Sequence, residues 1–148
     1  MQSWRLFAAV AALPIVALAA TPEQEKAFVD TYRKAFEGKD AKTLHALLYT
    51  KGADPQALEF YKMMMTDGMG AKIGSIALEP LTAADKADAM KSMPGPGGKS
   101  FKLTLAPVKK LVIKRTSKEA SGSSTSTNTV FVGEADGRLV TPVPGPAK

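Results

Sequence analysis

At 148 residues, 45% of them hydrophobic and 23% charged, the chain has the size and composition of one globular domain rather than of a disordered chain. It contains no cysteine, which excludes disulfides, thiol catalysis, zinc–thiolate sites and a thioether lipid anchor. Lysine and arginine exceed aspartate and glutamate by 20 to 14, but the lysines are interleaved with acids. The excess therefore predicts a solvated surface and no nucleic-acid partner.

The first elements form a leader. Met1 and Arg5 are followed by an apolar run over residues 6–18, and Ala17-Leu18-Ala19 presents small residues at the two positions a signal peptidase reads. The expectation is a cleaved signal peptide over residues 1–19, cut after Ala19, with Ala20 as the next choice. The apolar run is shorter than the roughly 20 residues needed to span a bilayer. The mature chain, residues 20–148, is expected to be secreted or periplasmic, a single α+β domain with no membrane span.

Thr21-Pro22-Glu23-Gln24 combines a cap, a proline at the first helical position and a glutamine at capping-box spacing. Phe28, Tyr32, Ala35 and Phe36 then form one apolar stripe, and Gly38 supplies a left-handed stop. Asp40 caps a second helix with Ala41, Leu44, Leu47 and Leu48 inward, ending near Thr50. Asp54-Pro55 opens a third helix to about Asp67, with Leu58, Tyr61, Met64 and Met65 as its inner face. The period changes over residues 71–81, where Ile73, Ile76 and Leu78 predict a strand. Thr82 caps a short helix to about Met90. Glycines and prolines over residues 92–100 predict a mobile loop.

Phe101, Leu103 and Leu105 alternate with Lys102 and Thr104, and Leu111 and Ile113 keep the same face. The pattern predicts one strand bent at Pro107 and running to Arg115. The Ser/Thr-rich residues 123–129 lead into Val130-Phe131-Val132 and are expected in a strand. Asp136-Gly137 is a hairpin turn. A return strand follows over residues 138–143, and Pro142, Pro144 and Pro146 predict a frayed C-terminal tail.

An aromatic helix with Phe28, Tyr32 and Phe36, the Gly38-Lys39-Asp40 turn, the leucine-rich residues 44–48 and the closing hairpin around Asp136-Gly137 together resemble the nuclear transport factor 2-like superfamily. The likeness is to its short exported bacterial members, the lumazine-binding-like domains, and covers roughly residues 22–143. It implies helices packed on the concave face of a curved, cone-like antiparallel sheet. The early β-hairpin of the enzymatic relatives has no counterpart here, so no catalytic residue is carried over.

The residues offer little catalytic chemistry. His45 is the one histidine and sits among leucines, as a boundary residue would. Asp85 and Asp88 share a helix face flanked by lysines and read as solvated. Gly97-Gly98-Lys99-Ser100 ends like a phosphate loop, but its first glycine is missing at the required spacing and a strand follows. The Met63-Met64-Met65 run points in different directions on a helix, which favours core packing over metal binding. No metal or other cofactor is expected.

The expected function is a non-catalytic binding or scaffold module. Tyr32, Tyr61 and Met65 are candidates for the lining of an apolar pocket, with a small apolar molecule as ligand. One alternative is a small isomerase or dehydratase using Asp30 and Tyr32. Another is a structural protein that forms a homodimer through its sheet.

Overall fold

The computed structural model describes residues 20–147; the expected leader, with Ala19, lies outside the described residues. Helix α1 spans Pro22–Glu37. Thr21 Oγ1 accepts from the Gln24 backbone N–H at 3.2 Å and Gln24 Oε1 accepts from the Thr21 N–H at 2.9 Å, a complete capping box. Its stripe of Phe28, Tyr32, Ala35 and Phe36 is buried, as the spacing predicts. The helix stop differs from expectation. Gly38 keeps a negative φ of −87°, and Lys39 takes the left-handed conformation at φ 57°. Gly38 is needed for room instead: a Cβ there would stand 2.8 Å from the Lys34 carbonyl oxygen.

Helix α2 (Ala41–Ala46) is capped by Asp40, whose carboxylate accepts from the Thr43 N–H at 3.1 Å. It stops earlier than expected, because Leu48–Tyr49 forms a strand, β1. The Thr141 N–H donates to the Leu47 carbonyl at 2.7 Å, and this long-range pairing takes the backbone that a longer helix would have used. Helix α3 (Pro55–Thr66) begins at Asp54, which accepts from Gln56 and Ala57. Of its expected inner face, Met65 is buried, Leu58 and Tyr61 are half-buried, and Met64 is exposed.

Strand β2 (Ile73–Pro80), helix α4 (Ala83–Met90) and strand β3 (Met93–Pro94) follow. Residues 92–100 hold β3, a short 3-10 turn at Pro96–Gly98 and the start of β4 (Ser100–Leu103), with the Gly95 N–H donating to the Lys99 carbonyl at 2.8 Å. The long strand expected over residues 101–115 is two strands in different sheets: β4 pairs with β3, and β5 (Lys109–Glu119) belongs to the main sheet. Pro107 lacks an N–H and lies between them, so the ladder cannot run through.

Strand β6 (Gly122–Ala135) returns antiparallel to β5 and takes in the whole Ser/Thr run. Strand β7 (Arg138–Pro142) follows the Asp136-Gly137 turn. The last residues are not frayed where they were expected to be. Pro144–Pro146 forms β8 and pairs with β4, with Pro144 and Gly145 buried. The chain passes there because residue 145 has no side chain; a Cβ would collide with the Gly52 carbonyl.

The chain is thus α+β. A five-stranded sheet has the order β1-β7-β6-β5-β2, antiparallel except for the β1–β7 pair, and a small sheet has the order β3-β4-β8. The core joins α1 and α2 to the main sheet: Leu44, Leu111, Val132 and Val143 are wholly covered, beside Phe28, Phe36 and Met65. Among the described residues no helix is long and apolar enough to cross a membrane.

Candidate functional site

Two grooves flank α3. The larger, about 560 Å³, lies between α3, α1 and strands β5 and β6. Alternation along the strands sets its floor: Ile113 and Arg115 share the inward face of β5, and Asn128, which pairs with Ile113, and Val130, which pairs with Leu111, share that face on β6. Tyr32 from α1 and Met65 from α3 complete the apolar part. Phe60, Met63 and Met64 form a rim at 56%, 63% and 42% exposure, an unusual amount of apolar surface for one short helix.

Arg115 is fixed at this groove by two contacts. Its Nη1 donates to the Asp67 carbonyl at 3.1 Å, and its guanidinium carbon stands 5.4 Å from the centre of the Phe36 ring. Phe36 in turn stacks on Tyr32 at 6.3 Å. The cation therefore ties the end of α3 to α1 and braces one end of the groove. Burial raises the Tyr32 hydroxyl above its ordinary range, and Arg115 offsets part of that.

The second groove, about 360 Å³, lies on the other side of α3 and is lined by Ala57, Phe60, Tyr61, Met93, Phe101 and Pro144. Tyr61 meets Phe60 edge to face at 6.3 Å, and burial raises its hydroxyl too. Of the three pocket candidates, Tyr32 and Met65 thus come together in one groove, and Tyr61 lines the other. Phe60 and Asn128 were not singled out from sequence, and Met63 and Arg115 were not read as pocket residues. Arg115 was available in the odd-numbered phase it shares with Leu111 and Ile113. The methionine run divides: Met65 is 2% exposed, whereas Met63 and Met64, assigned to the core, stand at the rim.

The acid–base groups do not converge. Asp30 sits on the outer side of α1 with its side chain half exposed, and Lys26 at 2.6 Å holds its carboxyl below the usual range. A general acid needs the opposite shift. Asp88 pairs with Lys91 at 2.8 Å, as a solvated acid would. Asp85 departs from its expected role. It is partly covered, bonds Lys110 Nζ at 2.8 Å and the Thr82 N–H at 2.9 Å, and its carboxyl is lowered to about 2. It clamps α4 onto β5.

His45 lies in the last turn of α2, with a buried Nε2 that has no hydrogen-bond partner among the described residues. Among the described residues no three His, Cys, Asp or Glu side chains are placed to hold a metal ion. Compared with protein-family models, curated proteins and solved structures, the chain gives no match in any of the three.

Proposed function

We propose that this chain is an exported, non-catalytic binding module that takes a small apolar molecule into the groove between α3 and the main sheet. One observation carries the reading: exposed Phe60, Met63 and Met64 border a groove of about 560 Å³ whose floor is Tyr32, Met65, Ile113 and Val130. Apolar side chains held in water around a concavity gain by covering, and methionine adapts to ligands of irregular shape. Export rests on the apolar residues 6–18 and the Ala17-Leu18-Ala19 pattern. The likeness to the nuclear transport factor 2-like superfamily, with a sheet curved like a cone, is part of the same proposal and rests on the sequence features of residues 22–143. The isomerase alternative is less well supported among the described residues: its Asp30 pairs with Lys26 on a half-exposed side of α1, while Tyr32 is buried.

Binding can be read without background, because Trp4, the one tryptophan, belongs to the leader. Chain purified from residue 20 onward should enhance the fluorescence of the neutral apolar dye N-phenylnaphthylamine. Met64→Glu, at the rim, should weaken dye binding by roughly tenfold, which corresponds to about 1.4 kcal/mol. Met90→Glu, at a more exposed position on α4, should leave it unchanged. No enhancement, or equal weakening by both variants, would sink the reading.

A further inference from the structure

We infer that the chain is cut between Ala19 and Ala20 and that Glu134 captures the α-ammonium group this releases. The inference rests on the export reading above, but on a different part of the molecule. The Ala20 backbone nitrogen donates to Glu134 Oε1 at 2.7 Å, across 114 residues of sequence, and both residues are half-buried. Glu134 stands near the end of β6, where the β6–β7 hairpin reaches back to the start of α1. Gln24 fastens the same junction. Its Oε1 accepts from the Thr21 N–H, and its Nε2 donates to the Gly137 carbonyl at 3.2 Å. Residues 20, 21 and 24 and the hairpin residues 134–138 line a pocket of about 410 Å³.

The chemistry of cleavage makes the contact stronger. Water adds its hydroxyl to the Ala19 carbonyl carbon, the C–N bond breaks, and the nitrogen stays with Ala20 and takes up protons. A neutral amide with one N–H becomes a cation with three, and its bond to Glu134 becomes charge-assisted. A cation at the start of a helix is opposed by the helix dipole, so an anionic partner there is needed to hold it. Among the described residues, the charged groups of the elements that meet there are Glu134, Asp136 and Arg138 from the hairpin and Glu23 and Glu25 from the first turn of α1. Glu25 is already engaged by Lys109.

The geometry also selects between the two cleavage points. Cutting after Ala20 would put the charge on the Thr21 nitrogen, whose partner is the neutral Gln24 amide, and would leave Glu134 without its donor. Cutting after Ala19 leaves the capping box intact and gives the carboxylate its cation.

The test is to express the full chain in an exporting host, record the intact mass and N-terminal sequence of the product, and then label the α-amine with an amine-reactive reagent near neutral pH. Only the uncharged amine reacts, so capture should slow labelling by roughly tenfold relative to the Glu134→Gln variant, the effect of one unit in proton affinity. Asp136→Asn should label at the wild-type rate. A product beginning at Ala20 with this difference supports the inference. Equal rates in wild type and Glu134→Gln overturn capture, and a product beginning at Thr21 overturns the cleavage point. A retained Met1 overturns the export reading itself, and the mass distinguishes that outcome from the others.

Discussion

The two halves of the β5–β6 ribbon share one unbroken ladder, from the Lys109↔Val132 pair to the Glu119↔Gly122 pair, yet they live in different environments. The inner half carries Leu111, Ile113 and Val132 into the core, and Lys109 and Lys110 reach Glu25 on α1 and Asp85 on α4. The outer half is exposed on both strands, and its side-chain bonds are hydroxyl pairs, Thr116 with Thr125 at 3.4 Å and Ser117 with Ser124 at 2.7 Å. The difference separates two contributions usually seen together. Strand pairing exchanges water hydrogen bonds for internal ones at small net gain, whereas burial of apolar area supplies the larger favourable term. On that argument the inner half holds the fold and the outer half is carried by it.

The sharpest way to break the comparison is at Leu111, which is wholly covered. Leu111→Ala should cost about 3 kcal/mol, within the range for a leucine truncated in a core, through lost burial and the cavity left behind. The melting temperature should fall by roughly 10 °C. Denaturant unfolding and a thermal scan both measure this. A loss below about 1 kcal/mol would place the inner half outside the core.

The next test concerns the clamp on that inner half. Lys110 and the capping bonds to Thr82 hold the Asp85 carboxyl at about 2. A carboxyl lowered on folding stabilises the fold above its unfolded value and loses that contribution as pH falls through the folded value. Asp85→Asn should therefore be less stable than wild type near neutral pH, and the gap should close between about pH 4 and about pH 2. Lys110, raised by the same contact, keeps the pair intact toward alkaline pH until its own amine titrates. Denaturation midpoints of both proteins across the acid range provide the measurement. A gap unchanged at acid pH would mean that Asp85 acts by packing or capping alone.

What could be foreseen from sequence follows the same division between local and long-range causes. The α1 stripe and capping box depend on residues within a few positions of one another, and the structure has them as expected. So does the Asp136-Gly137 hairpin, where both residues take positive φ, 53° and 75°. Strands β1 and β8 are only two and three residues long, and each exists because a distant segment pairs with it. Neither carries a period of its own. Prolines 144 and 146 suggested an end to structure, while the glycine between them lets the chain lie against Gly52. The groove was half legible. Helical phase brought out Tyr32 and Met65, but Tyr61 turns to the other side of α3, where β4 and β8 lie beneath it. The partner that fixes Arg115, the Asp67 carbonyl, is 48 residues away.

The smallest expected effect is at the outer half, and it tests the argument from the other side. Removing the Ser117–Ser124 contact with the double substitution Ser117→Ala, Ser124→Ala takes away the shorter of the two hydroxyl pairs. Both positions are exposed, so water replaces the lost bond, and the change should stay within about 0.5 kcal/mol. Hydrogen exchange supplies the companion measurement. Amides of residues 117–124 should open locally and exchange orders of magnitude faster than those of Leu111 and Ile113, which should exchange through global unfolding. If the outer amides were as protected as the inner ones, or if the double substitution cost more than about 1 kcal/mol, the ribbon would be one cooperative unit. Pairing without burial would then contribute far more than the net value of an exposed hydrogen bond allows.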